Sequence, residues 1–355
     1  MSQPRVSQRR PAARRVRKLA FAAIVLLAGA GTLELVLHLL WRPAGYLPGA
    51  GGALMIDDPL RFWKPKPGVH IQEPNNVRFE VNALHMRGPA VTRARPAGTR
   101  RVLCLGESTT WGQGVAEDEP YPRVLADLLA PIGAFEVLNA GVPGYTIWQS
   151  RVLLEQVGMG LDPQIVLVYH EANDHLPRGS CGSHPFQIGL RWTDRQLYTL
   201  RRPLAPLVDL AYRSRIYVGL RHLLVARTVG SGPPPGASRD DLAARYGERV
   251  PEADRRVALA DMAALCRPPG CRLVLVQPAY RRFASSGLLA EFAAENGLLY
   301  VDLPRLRAEA GLADDPQAWF DDIHPTASGH RFIATALHKA LLDAGYLAAP
   351  APGWE

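Results

Sequence analysis

Four cysteines in 355 residues, a single long apolar run and no repeated segment narrow the possibilities before any motif is considered. No Cys, His or carboxylate group falls at a metal-ligand spacing, so no metal is expected, and no cofactor is implied. The lack of a repeat excludes stacked-repeat architectures. Acidic residues are absent ahead of Glu34, whereas Arg5, Arg9, Arg10, Arg14, Arg15, Arg17 and Lys18 all precede it. Those seven account for nearly all of the net charge of +8, so the remainder is close to balanced and a nucleic-acid partner is excluded. The chain as a whole is 47% apolar, enough for the core of one large domain or two small ones.

The basic tail, residues 1–18, leads into Leu19 to Trp41, which is apolar except for Thr32, Glu34 and His38. As a helix this stretch spans roughly 35 Å, enough for a bilayer core. Basic flanks stay in the cytoplasm, which predicts a single-pass inner-membrane anchor with the rest of the chain on the periplasmic side. A cleaved signal peptide ending near Ala28-Gly29-Ala30 is the alternative. The anchor is preferred, because the apolar run continues well past that point and closes on Trp41-Arg42, an interfacial end. Glu34 and His38 share one helix face. They either contact a second membrane protein or, the preferred reading, pair with each other or reach toward the interface. Export also gives the cysteines a meaning, since disulfides persist in oxidising compartments. Cys266 and Cys271 flank an Arg-Pro-Pro-Gly turn that can bring them together; Cys104 reads as a buried free thiol and Cys181 is unassigned.

The run Val102-Leu103-Cys104-Leu105-Gly106-Glu107-Ser108 reads as a buried strand that stops at a serine, the edge where ligands bind in open α/β sheets. Gly106 permits a sharp turn there, and Pro122 to Leu129 has apolar spacing suited to a helix whose N-terminal amides can stabilise negative charge. A serine hydroxyl needs a base to take its proton, and Asp321-Asp322-Ile323-His324-Pro325 supplies one. Asp321 can accept the Nδ1 proton of His324 and leave Nε2 facing Ser108. Gly144 follows the strand Phe135 to Leu138, and Asn173 follows the strand Ile165 to Tyr169. Each can offer an N–H to an oxyanion that also sees the N–H of Ser108. Taken singly, these motifs are turns and solvated loops. Their joint order after successive strands favours catalysis. Asp322, His330, His170 and His175 are reserve acids and bases; His330 is expected to begin the last helix and His170 to pack near a strand end.

This order of Ser, Gly, Asn and Asp-x-x-His resembles the SGNH (GDSL-type) hydrolase family in its membrane-anchored bacterial form, from roughly Arg101 onward. Gly106-Glu107-Ser108 stands where the family usually has Gly-Asp-Ser. Glu171-Ala172-Asn173-Asp174 stands for Gly-x-Asn-Asp, which puts a carboxylate beside the oxyanion site. The resemblance implies an α/β fold, a three-layer αβα sandwich with a parallel, flavodoxin-like sheet of about five strands, preceded by one N-terminal transmembrane helix. It implies a serine esterase with Ser108 as nucleophile, His324 as base and then acid, and Asp321 orienting it. Ser108 N–H, Gly144 N–H and Asn173 form the oxyanion hole. The substrate is then a small-molecule, glycan or lipid ester. An O-acyltransferase modifying an envelope glycan or lipid is the first alternative. A non-catalytic binding protein of the same fold is the second, and the intact triad argues against it.

Residues 42–100 are rich in Pro and Gly yet carry aromatic residues, and read as short strands packing on the hydrolase domain, residues 101–349. Substrate contact by Asn82 or Arg87 is weaker than a packing role. Residues 177–254 interrupt the domain as a lid-like insertion at the ligand edge, with Tyr212 to Leu224 helical and a flexible break over Gly230 to Gly236. Its arginines face either an anionic substrate or solvent. The core resumes with Ala253 to Leu265 as helix, Arg272 to Gln277 as strand, Leu288 to Asn296 as helix and Leu298 to Asp302 as strand. This alternation gives a parallel sheet with helices on both faces.

Overall fold

The computed structural model describes residues 10–41, 54–72, 76–178, 192–229, 247–267, 270–281, 285–312, 315 and 317–347. Cys181 and the Gly230 to Gly236 break lie outside them. In chain order the principal elements are α1 (Arg10–Leu40), β1 (Met55–Asp58), β2 (Phe62–Pro65), β3 (Gly68–Gln72), β4 (Val77–Val81), β5 (Arg100–Gly106), α2 (Ser108–Trp111), α3 (Tyr121–Leu129), β6 (Phe135–Gly141), α4 (Ile147–Leu153) and β7 (Ile165–Tyr169). There follow α5 (Asp194–Arg201), α6 (Ala205–Arg213), α7 (Arg215–Val229), α8 (Glu252–Leu265), β8 (Arg272–Gln277), α9 (Leu288–Asn296), β9 (Leu299–Asp302), α10 (Leu303–Glu309) and α11 (Ala327–Asp343).

Two compact units emerge: residues 1–44 with 206–230, and residues 45–205 with 231–355. The larger is a three-layer α/β sandwich. Its five strands are parallel in the order β6-β5-β7-β8-β9, so the sheet starts in the middle and grows outward in both directions. Period-two alternation explains the continuous apolar runs. Leu103, Leu105, Val166, Val168, Leu273 and Leu275 face one side, where α4, α8 and α9 supply Val152, Met262 and Phe292. Val102, Cys104, Leu167, Val274 and Val276 face the other, against Leu125 of α3 and Ile333 and Leu337 of α11. A parallel strand buried on both faces has no polar side to show, which is why these segments do not alternate in hydropathy. Cys104 is a buried free thiol, and Cys266 and Cys271 are disulfide-bonded between α8 and β8.

The register aligns the strand ends: Gly106 sits opposite both Gly141 and Tyr169, so the loops leaving β5, β6 and β7 open at one edge. The segment before the sheet braces those loops. β1 pairs antiparallel with β2, and β3 with β4. Trp63 Nε1 donates to the Pro143 carbonyl at 3.1 Å, and the Trp63 carbonyl accepts from the Tyr145 hydroxyl at 2.6 Å. Arg87 is buried over the Phe79 ring and donates to the carbonyls of Trp111, Gly112, Val115 and Ala116. Asn82 folds onto the backbone of Leu84, Met86 and Pro89. Both residues therefore pack, and their polar groups are used within the fold.

The smaller unit contains α1, α6 from Pro206 and α7. Arg14–Leu40 within α1 is long and apolar enough to cross a membrane, a candidate span or signal sequence, with mean hydropathy 2.2 in its best window. The helix begins nine residues ahead of the expected Leu19, at Arg10. The helical run expected over Tyr212 to Leu224 is likewise redrawn: two helices meet at Ser214. Ser214 caps α7, accepting the Tyr217 N–H at 3.1 Å and donating to Glu34 at 2.9 Å. A contact distant in sequence thus sets the break.

Candidate active site

Ser108 occupies the first turn after β5 and opens α2. Backbones approach closely there. A methyl group at Gly106 would lie 1.9 Å from Thr110 Oγ1, and one at Gly141 would lie 2.4 Å from the Trp111 amide nitrogen, so both strand ends require glycine. The helix expected to lend its amides to the serine, Pro122 to Leu129, is not the one beside it. α2 intervenes, and the Tyr121 N–H that opens α3 is already bonded to His330 Nδ1 at 3.2 Å. The first N–H groups of α2 have no acceptor within the helix, and they are the ones that lie at Ser108.

Opposite the serine, Ser108 Oγ lies 2.8 Å from His324 Nε2, and His324 Nδ1 lies 2.7 Å from Asp321 Oδ2. The other carboxylate oxygen of Asp321 accepts the N–H groups of Ile323 and His324, each at 2.7 Å. Partial burial works against ionisation of Asp321, but these bonds hold its carboxyl below the ordinary aspartate value. The loop is pinned on both sides. Thr109 Oγ1 donates to the Ile323 carbonyl at 3.3 Å, the Phe320 N–H to the His324 carbonyl at 2.8 Å, and the Arg281 N–H to the Asp322 carbonyl at 2.8 Å. Since Asp321 holds Nδ1, Asp322 is not the partner of the ring.

Gly144 adopts φ +79°, in the left-handed region. Its carbonyl accepts from the buried Arg249 at 2.9 Å, and Arg249 also donates to Asp194 and Gln149 at 2.9 and 3.0 Å. Asn173 Nδ2 donates to the Tyr145 carbonyl at 3.0 Å, and an amide group carries a second N–H. The Asn173 backbone N–H reaches Glu107 Oε2 at 3.2 Å, and Tyr280 donates its hydroxyl to the other oxygen of Glu107. Glu107 is fully buried, and desolvation pushes its pKa up to about 8, so it is mostly neutral at pH 7. The carboxylate at Glu171, expected beside the oxyanion site, points elsewhere. It accepts from Gln277, and from the Ser286 N–H at 2.6 Å. Burial opposes its ionisation, but the bonds from His175, Ser286 and Gln277 keep its pKa below the ordinary glutamate value.

The reserve histidines have other duties. His330 lies in the first turn of α11, stacked on Tyr121, and burial lowers its pKa to about 3. His170 follows β7 and bonds Ser150 Oγ at 2.7 Å, with its pKa also about 3 through burial. His175 lies between Glu248 at 2.7 Å and Glu171 at 3.9 Å; although burial lowers its pKa, those carboxylates lift it to about 9. Sequence reading missed the bracing residues Arg249, Asp194 and Tyr280. No local pattern marks them, because each acts across a gap of many residues. Among the described residues no cluster of His, Cys, Asp or Glu is arranged to hold a metal ion.

A parallel α/β sheet with a serine hydroxyl, an imidazole and a carboxylate in series at its open edge has the equipment of a serine hydrolase. A model of the GDSL-like lipase/acylhydrolase family matches residues 104–275. The chain carries a GDSL-like domain and is a serine hydrolase acting on ester bonds. No curated protein matches the chain. Solved structures similar to it include Axe2, an acetylxylan esterase from Geobacillus stearothermophilus (16% identity, 70% of this chain and 96% of that one, TM-score 0.40). Others are a putative GDSL-like lipase from Parabacteroides merdae (14%, 68% and 94%, 0.40) and LAE5, an alpha/beta hydrolase enzyme from the Lake Arreo metagenome (16%, 70% and 97%, 0.41).

Proposed function

We propose that the protein hydrolyses an O-acyl ester through an acyl-enzyme on Ser108, in a domain held outside the inner membrane by α1. The observation that carries the reading is the unbroken series from Ser108 Oγ to His324 Nε2, 2.8 Å, and from His324 Nδ1 to Asp321, 2.7 Å. Ser108 Oγ attacks the ester carbonyl as His324 Nε2 takes its proton. The tetrahedral oxyanion is met by the N–H groups of Ser108 and Gly144 and by the free N–H of Asn173 Nδ2. His324 then returns the proton to the departing alcohol. A water activated by the same nitrogen releases the acyl group. Glu107 supports the charge balance: a neutral carboxyl next to the nucleophile adds no repulsion to the developing oxyanion, whereas a carboxylate would oppose it.

Topology follows from α1. The basic residues before Leu19 stay cytoplasmic, and the chain after Trp41 is exported. Within residues 177–254, Asp194 and Arg249 brace the Gly144 loop, which supports a part for those residues in shaping the substrate site. Purified protein should be labelled by a fluorophosphonate probe and should hydrolyse a short-chain aryl ester. Ser108→Ala should abolish labelling and lower turnover by several powers of ten. Undiminished turnover by that variant refutes the mechanism. Preferential transfer of the acyl group to a sugar hydroxyl over water converts the reading to an acyltransferase that uses the same residues.

A further inference from the structure

Glu34 lies within the apolar helix α1 and is not free. Its carboxylate accepts the Ser214 hydroxyl at 2.9 Å, the Ile216 N–H at 3.1 Å and the Arg215 N–H. Those groups form the half-buried start of α7, where the chain breaks between α6 and α7. His38, one turn on, pairs with the same carboxylate at 3.2 Å. Farther along, Trp41 packs its ring against Gly219 of α7, where an added methyl group would lie 3.7 Å away. Two levels of α1 are thereby matched to two levels of α7. Glu34 and Trp41 are seven residues apart, about 10 Å along a helix. The break at Ser214 therefore sits about 10 Å inward of the interfacial tryptophan, and α7 rises from there toward it.

The outward faces of this pair are apolar. Leu207 and Leu210 of α6 are 64% exposed, and Leu220 and Leu223 of α7 are 56% and 63% exposed, each pair three residues apart on one helix face. Val218 of α7 is buried. An aqueous helix would turn polar residues outward from such a contact. Of the charged groups between Ala205 and Val229, Arg213 pairs with Asp209 at 2.6 Å and Arg221 is buried.

Resting on the anchored reading above, we propose that α6 and α7 form a re-entrant hairpin that dips into the outer leaflet beside α1, and that Glu34 is the acceptor that makes the dip possible. A helix break in hydrocarbon leaves N–H groups without water, and it is tolerated only where protein satisfies them. Glu34 meets that need with both oxygens. The occupant of the exposed leucine faces is lipid, because they continue the surface of α1, whose own span is unburied and lipid-compatible. The exported domain is then held at two points of its sequence, before residue 42 and between residues 206 and 230.

Depth-dependent fluorescence quenching in full-length protein tests this. Single cysteines carrying a bimane label are placed at Leu210, Leu220, Leu26 and Lys339 in a Cys104→Ala, Cys181→Ala background, in vesicles whose phospholipids are brominated at shallow or deep acyl positions. Leu26 and Leu210 should each lose about half their signal, Leu26 to deep and Leu210 to shallow bromines, with Lys339 unchanged. Glu34→Ala should abolish quenching at Leu210 and spare it at Leu26. Quenching at Leu26 with none at Leu210 or Leu220 overturns the hairpin while leaving the anchor intact. Absence at Leu26 overturns the anchor itself. Labels at Leu210 and Leu220 shielded from both lipid and aqueous quenchers, increasingly so at high protein-to-lipid ratio, point to a second copy and overturn the lipid assignment.

Discussion

Replacing Asp321 by Asn isolates the part that a carboxylate plays in setting the tautomer of His324. The change is nearly isosteric. Oδ1 can still accept the N–H groups of Ile323 and His324, now at 2.7 Å, so the loop should keep its shape. What changes is the atom facing Nδ1 of the ring, which goes from acceptor to NH₂ donor. An imidazole nitrogen meeting a donor must itself accept, and the proton moves to Nε2, where it faces Ser108 Oγ and cannot remove the hydroxyl proton. Comparable tautomer reversals in serine hydrolases cost about 10⁴ in kcat. The side chain here is 55% exposed, so water can in part solvate the imidazolium in place of the carboxylate. We expect a loss of about 10³ in kcat, or roughly 4 kcal/mol at 1.36 kcal/mol per power of ten, with KM nearly unchanged. Thermal unfolding should shift by only a few degrees, since one charge-assisted hydrogen bond at a half-exposed position is lost. Steady-state hydrolysis of an aryl ester, fluorophosphonate labelling rate and calorimetry on the same preparation give all three quantities. If Asp321→Asn turns over within threefold of the unmodified enzyme while Ser108→Ala is inactive, the tautomer argument fails.

Two further predictions address the oxyanion side. Asn173→Ala should lower kcat by about two to three powers of ten with little change in KM, because the donor matters once charge develops; normal kcat would remove Asn173 from the mechanism. Glu107→Gln should change how stability depends on pH. The folded pKa of Glu107, about 8, lies above its ordinary 4.5, so the folded state holds a proton that the unfolded chain releases in between. Stability from this group is fully present below pH 4.5 and declines as pH rises to 8, by at most about 1.4 kcal/mol per pH unit. Gln stays neutral, so chemical denaturation of the variant across that range should show a flatter decline. An unchanged slope would show that Glu107 is not the group taking up the proton.

The strands and the residues that end them were legible because each is a local pattern, which singled out Ser108 and His324 as candidates. A continuous apolar run of five to seven residues has no polar face and must be buried on both sides, and the residue that ends it falls at the open edge. Asp321 and His324 lie three apart on one loop, so their contact needs no long-range information. The disulfide between Cys266 and Cys271 spans only a tight turn, and the sequence sufficed to suggest it as well.

Chain folding decided the rest. Glu171 stands at a glycine position of the motif, and only the arrival of Gln277 and Ser286 from distant elements turned its carboxylate away. The pKa of Glu107 depends on complete burial, a property of many neighbours that its own flanks do not reveal. Arg249, one of the insertion arginines that could equally face solvent in sequence, is buried against the Gly144 carbonyl, Gln149 and Asp194. Likewise, the continuous helical signal across Tyr212 to Leu224 gives no hint that Glu34, 180 residues upstream of Ser214, holds the start of a new helix. Hydropathy and propensity act over a few residues and fix which segments become strands, helices and turns. Hydrogen bonds between buried polar groups form only after those segments meet, so the roles of such groups are set by tertiary structure.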